Sequence, residues 1–158
     1  MAELRKVNVF SSELRWDEDD PEAYRGGWYR FGADIGGSML GATIYELPEG
    51  QSNCPYHYEY GNEEWLLVLS GQVTVRHPDG EQELEPGDVV AFPVGEAGAH
   101  KLTNRRPEPA RFMMFSTTFE PSAAVYPDSD KIGLWPGDDR DKIMVRRAAN
   151  VDYWEGET

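Results

Sequence analysis

Residues 54–71, CPYHYEYGNEEWLLVLSG, set one histidine and three glutamates among four aromatics, then run into apolar, strand-forming residues. Surface loops rarely carry so many aromatics, and cores rarely carry so many carboxylates. On extended backbone, residues two apart share a face, so His57 and Glu59 project together while Tyr56, Tyr58 and Tyr60 project the other way. Gly61-Asn62 offers the positive-φ chemistry of a tight hairpin. A returning strand would then set Glu64, Leu66 and Val68 inward and Trp65, Leu67 and Leu69 outward, with Glu64 across from His57 and Glu59. The alternation assigns Glu63, the rival to Glu64, to solvent. Buried carboxylates are costly unless paired or metal-bound, and a divalent cation would offset that cost directly.

The flanking sequence is punctuated by 16 glycines and 11 prolines, and no long segment sustains helical periodicity. In MLGATIYEL (39–47), Leu40, Ala42 and Ile44 alternate with Thr43 and Tyr45, as in a strand covered mainly on one side. QVTVRHPDGEQELEPGD (72–88) reads as a hairpin turning at Pro78-Asp79-Gly80, with a second turn at Pro86-Gly87. DVVAFP (88–93), HKLTN (100–104) and ARFMMFSTTF (110–119) supply further strands. Short strands at this spacing predict an all-β sandwich or barrel. The run Asp17–Asp20 reads as a solvated loop, Met113 and Met114 as core or interface filler, and the segment after Phe119 as lacking a persistent strand or helix pattern.

The composition narrows the function. The chain has 158 residues and a formal net charge of −14. Neither nucleic acid nor an anionic membrane surface is an expected partner, because both need clustered Lys and Arg. No run of apolar residues is long enough to span a bilayer, and MAELRKVNVFSSELRWDEDD (1–20) has no apolar region of signal-peptide type. Cys54 is the sole cysteine, so a reducing, cytoplasmic setting is expected. Without a flanking cation, Cys54 itself reads as an inert small hydrophobe. Of the three histidines, His77 lies beside a turn and reads as exposed and idle. His100 opens a strand and is the better partner for His57.

These residues resemble the two motifs of the cupin superfamily. The first motif is glycine, five residues, H-x-H, three or four residues, glutamate, six residues, glycine. Here Gly50 is followed by six residues, His57-Tyr58-Glu59, four residues, Glu64, six residues and Gly71. The second is glycine, five residues, P-x-G, two residues, histidine, three residues, asparagine. Here Gly87 is followed by five residues, Pro93-Val94-Gly95, four residues, His100, three residues and Asn104. The departures are Glu59 in place of histidine, Gly50 one residue early, and two extra residues within GEAGAH before His100.

The resemblance implies an all-β double-stranded β-helix, the cupin or jelly-roll barrel, with irregular terminal extensions. One domain over residues 1–158 is expected, with its barrel core at about 38–118, an N-terminal extension (1–37) and a C-terminal extension (119–158). Carried over by position, His57, Glu59, Glu64 and His100 would bind one divalent transition metal inside the barrel. Two imidazoles and two carboxylates favour Mn²⁺ or Fe²⁺ on ligand type, with Zn²⁺ and Ni²⁺ as alternatives. The implied function is a mononuclear metalloenzyme acting on a small polar molecule, with dioxygenase chemistry foremost and isomerase, lyase or decarboxylase chemistry open. The alternative is a metal-free cupin that binds or senses a sugar or organic acid. Cupins are often dimers, so a homodimer is expected.

Overall fold

The computed structural model describes residues 3–158. Among the described residues, the Gly- and Pro-punctuated alternation folds into thirteen strands linked by turns and short 3₁₀ segments. Among the described residues no helix is long and apolar enough to cross a membrane. The largest sheet is antiparallel and runs β1 (Arg15–Trp16), β2 (Gly27–Arg30), β3 (Leu40–Leu47), β10 (Ala110–Thr117), β5 (Glu64–Ser70) and β8 (Val89–Phe92). Facing it are two smaller sheets. One orders β13 (Ile143–Arg146), β12 (Lys131–Trp135), β11 (Ser122–Tyr126) and β4 (Tyr58–Tyr60); the other orders β7 (Gly80–Leu84), β6 (Val73–His77) and β9 (Lys101–Thr103).

Inward residues of both layers divide the barrel into a dry end and a polar end. Leu66, Val68, Val73, Val75, Leu102 and Phe112 pack together with almost no exposure and fill the dry end. Burial of each such side chain stabilises the fold by about 1.5–3 kcal/mol. Asn104 closes this end. Its amide donates to the carbonyls of Leu47 (2.8 Å) and Glu108 (2.9 Å), and its Oδ1 accepts from the Arg106 amide (2.8 Å). The QVTVRH…EQEL hairpin forms as β6–β7, with His77 opposite Gly80.

Three sequence expectations change. The stretch that carries His57 does not form a hairpin with the strand after it: β4 pairs with β11, whereas β5 pairs with β10 and β8. Gly61, at φ 97°, instead turns the chain from one layer of the barrel to the other. Asn62 fixes that crossing by accepting from the Phe119 amide (2.7 Å) and the Thr117 hydroxyl (3.1 Å). Secondly, β3 is covered on both sides. Ala42 and Ile44 are buried with Phe31 beneath Val7, Val9 and Leu14 of the N-terminal segment, while Thr43 and Tyr45 face the interior. Thirdly, the stretch after Phe119 contributes β11, β12 and β13. Its strand signal is masked because the short apolar runs are interrupted by charged turns.

Candidate metal centre and its cavity

The polar end of the barrel opens into a cavity of about 430 Å³. His57 and His100 lie where the two small sheets meet, and their backbones exchange two hydrogen bonds, His57 N–H to His100 O (3.1 Å) and His100 N–H to His57 O (2.8 Å). Paired residues on antiparallel strands project to the same side. The two rings accordingly stand 4.8 Å apart. Each ring is fixed through Nδ1, His57 against the Pro55 carbonyl (3.0 Å) and His100 against the Gly98 carbonyl (2.9 Å). Both therefore turn Nε2 toward Glu64 on β5, whose Oε2 lies 3.6 Å from His57 Nε2 and 3.4 Å from His100 Nε2. Phe92 stacks on the His100 ring at 3.8 Å and holds it from the apolar side.

The extra residues before His100 do not displace it. They form a 3₁₀ turn, Glu96–Gly98, that supplies the carbonyl fixing the ring. Gly98 is required there, because a Cβ would lie 1.8 Å from the Pro93 carbonyl oxygen.

Glu64 Oε2 and His100 Nε2 are buried and lack hydrogen-bond partners. With the His100 Nδ1–H given to Gly98, its Nε2 presents a lone pair to a carboxylate oxygen, and two acceptors face one another. The charge distribution is uneven. Burial, the largest influence on His57, acts to lower its pKa, but the neighbouring Cys54 and Glu64 outweigh it and hold the group up to about 11. Burial drives His100 down to about 4. Burial also opposes ionisation of Glu64, yet the two histidines hold its carboxyl below the usual range. A divalent cation would take the place of the His57 proton and accept a lone pair from each of the three side chains. The ligand-type atoms of His57, Glu64 and His100 lie within 4.8 Å of one another, so the residues fit a metal ion.

The remaining sequence candidates fall around this trio. Glu59 lines the same cavity but is not within the cluster of three. Burial and the Glu64 charge push its carboxyl up to about 7. Glu63 points outward and accepts from the Trp65 indole (2.6 Å), as its alternation predicted. Cys54, expected from the sequence to be an inert small hydrophobe, stands next to the trio. It lines the cavity, with Sγ 3.6 Å from His57 Nδ1. Met114 borders the cavity, whereas Met113 packs under the N-terminal segment. Asp17 is held by Arg15 (2.8 Å) and the Trp28 indole (3.1 Å), so the acidic run is anchored at its first residue.

Several wall residues are unmarked by any sequence motif. Tyr126 stacks on His57 at 5.8 Å, and burial, with the nearby Cys54, Glu59 and Glu64, raises its phenol to about 12. Tyr126, Trp135 and Ser122 come from β11 and β12, and Arg30 comes from β2. No motif marks these positions, because only strand pairing brings them to the cavity.

The cupin-domain family model matches residues 43–116. The chain superposes on a cupin-superfamily sugar phosphate isomerase from Silicibacter pomeroyi with a TM-score of 0.79 and 25% identity, covering 95% of this chain and 98% of that one. A candidate sugar phosphate isomerase from Acidithiobacillus ferrooxidans gives 0.77 and 22%, covering 90% and 88%. The polyketide cyclase RemF from Streptomyces resistomycificus gives 0.62 and 20%, covering 76% and 84%. No curated protein matches the sequence. With both motifs placed on the barrel as described, and with this family match, residues 43–116 form a cupin domain, and the fold is that of a cupin-superfamily protein.

Proposed function

We propose that the protein is a metal-dependent enzyme that moves a proton within a small polyhydroxylated carbonyl compound, an isomerase-type reaction, with His57, Glu64 and His100 holding the metal. The reading is carried by the two facing buried atoms, Glu64 Oε2 and His100 Nε2, which make no hydrogen bond within the protein. On ligand type Mn²⁺ or Fe²⁺ suits the set, with Zn²⁺ and Ni²⁺ as alternatives. When bound, a divalent ion supplies Lewis-acid polarisation of a substrate oxygen.

The chain's own groups provide the rest. Glu59, outside the trio and lining the cavity, is placed to take a proton from the carbon beside the carbonyl and return it to the neighbouring carbon. The hydroxyl proton passes to the former carbonyl oxygen, so the compound is isomerised without net gain or loss. Tyr126, protonated, offers a hydrogen-bond donor from the wall, and Thr43, Ser116, Thr117 and Ser122 offer hydroxyls to a polyol. The sugar phosphate isomerase relative supports the same reading.

The test is deuterium incorporation beside the carbonyl, followed by NMR, when Mn²⁺-supplemented protein meets a panel of aldoses, ketoses and their phosphates in D₂O. Incorporation is expected, and Glu59→Gln should abolish it while keeping its metal. No incorporation from any member would defeat the isomerase reading. Two histidines and one carboxylate also form the donor set of non-haem iron oxygenases, which favours dioxygenase chemistry as the second reading. Substrate-dependent oxygen uptake would select it.

A further inference from the structure

The cavity contains one permanent cation. Among the described residues that line it, Glu59, Glu64 and Glu120 are acids, and Arg30 is the sole arginine or lysine. Strand register fixes where Arg30 points. It lies opposite Thr43 on β3, and facing residues on neighbouring strands project to the same side of the sheet. Thr43 is buried against the cavity, while Phe31, next to Arg30, packs into the cluster on the opposite face. The guanidinium therefore lies on the cavity side, at its exposed rim.

What distinguishes Arg30 from Arg5, Arg25, Arg146 and Arg147, which likewise form no ion pair among the described residues, is that it lines the cavity. The chain carries 29 acidic residues against 15 basic ones, so a carboxylate is easily found for an arginine. Arg15, Arg76, Arg105, Arg106, Arg111 and Arg140 each pair with one. Arg30 has no ion pair among the described residues, although it borders a chamber containing three carboxylates. Burial holds the phenol of Tyr45, the next inward residue of β3 after Thr43, well above its usual range, and the Arg30 charge is a lesser, opposing influence. A strongly acidic protein repels anionic solutes, so a fixed, unpaired guanidinium at the mouth is what an anionic ligand would need to enter and be oriented.

We infer that Arg30 is a specificity residue that binds an anionic group, phosphate or carboxylate, at one end of the substrate, while the hydroxyl-bearing end reaches the His57–Glu64–His100 centre. This rests on the reading of the cavity as a substrate site for polyhydroxylated carbonyl compounds.

The experiment is calorimetric titration of the protein as purified, and of Arg30→Ala and Arg30→Lys, with the metal content of each sample measured alongside. Ribose 5-phosphate and fructose 6-phosphate form the phosphate arm, gluconate the carboxylate arm, and ribose and fructose the neutral controls. Wild-type protein should prefer one charged arm over the neutral sugars. Arg30→Ala should weaken that arm roughly tenfold or more, Arg30→Lys should weaken it less, and neither change should alter metal content. Wild-type protein that binds no charged probe, or Arg30→Ala protein that binds them as well as wild type, overturns the proposal. Arg30-dependent binding in metal-free protein would sink the metal reading and leave this one standing. Bound metal with no preference for anions does the reverse.

Discussion

The backbones of His57 and His100 are hydrogen-bonded to each other in both directions, at 3.1 and 2.8 Å. The pair that would hold a metal is therefore also the seam between two sheets. Ring orientation and barrel closure share one set of contacts, so the site is pre-organised by the fold rather than by a flexible loop.

Removing the charge of Glu64 tests the trio. Glu64→Gln keeps the shape of the side chain but offers a neutral amide where the histidines require a carboxylate. Wild-type protein should gain thermal stability on addition of Mn²⁺ and lose it with a chelator. The variant should show no such shift, and its metal content after purification should fall to background. A variant that retains stoichiometric metal would remove Glu64 from the ligand set.

Gly98→Ala probes the turn that fixes His100. A methyl group there meets the Pro93 carbonyl oxygen, so the turn must open and the Gly98 carbonyl must leave Nδ1 of His100. Overpacking of this kind costs about 1–3 kcal/mol. Chemical denaturation should show that loss, and metal titration should show weakened affinity. An unchanged midpoint and unchanged affinity would mean that the turn is dispensable.

Asn104 is the motif residue with a purely architectural part. Asn104→Ala would strand the buried Leu47 carbonyl, remove a second bond to the Glu108 carbonyl, and cost about 2–3 kcal/mol. Because its side chain lies away from the cavity, metal stoichiometry should be unaltered at temperatures where the variant remains folded. Loss of metal from a folded variant would contradict this separation.

The cover over β3 can be tested through Ile44, which is fully buried beneath the N-terminal segment. Ile44→Ala should cost about 2–4 kcal/mol. Limited proteolysis should then cut within residues 3–14 sooner than in wild type. Equal stability would show that the segment does not seal this face.

The sequence by itself determined the strand menu and half of the site. Alternation assigned Glu64, Leu66 and Val68 to the interior and Trp65 and Glu63 to the outside, because side-chain direction in an extended chain follows from backbone period alone. The resemblance to the cupin motifs picked out His57, Glu59, Glu64 and His100, of which His57, Glu64 and His100 cluster in the fold. Only the tertiary structure decided which strands pair. The Gly61-Asn62 turn looked like a hairpin, yet it carries the chain between layers, since local turn chemistry does not specify the partner of a strand. Glu59 was legible as inward, and it lines the cavity without belonging to the cluster of three. Arg30 and Tyr126 were invisible as site residues, because each arrives through pairing with a strand distant in sequence, and such contacts are made by the folded barrel and not by any local run of residues.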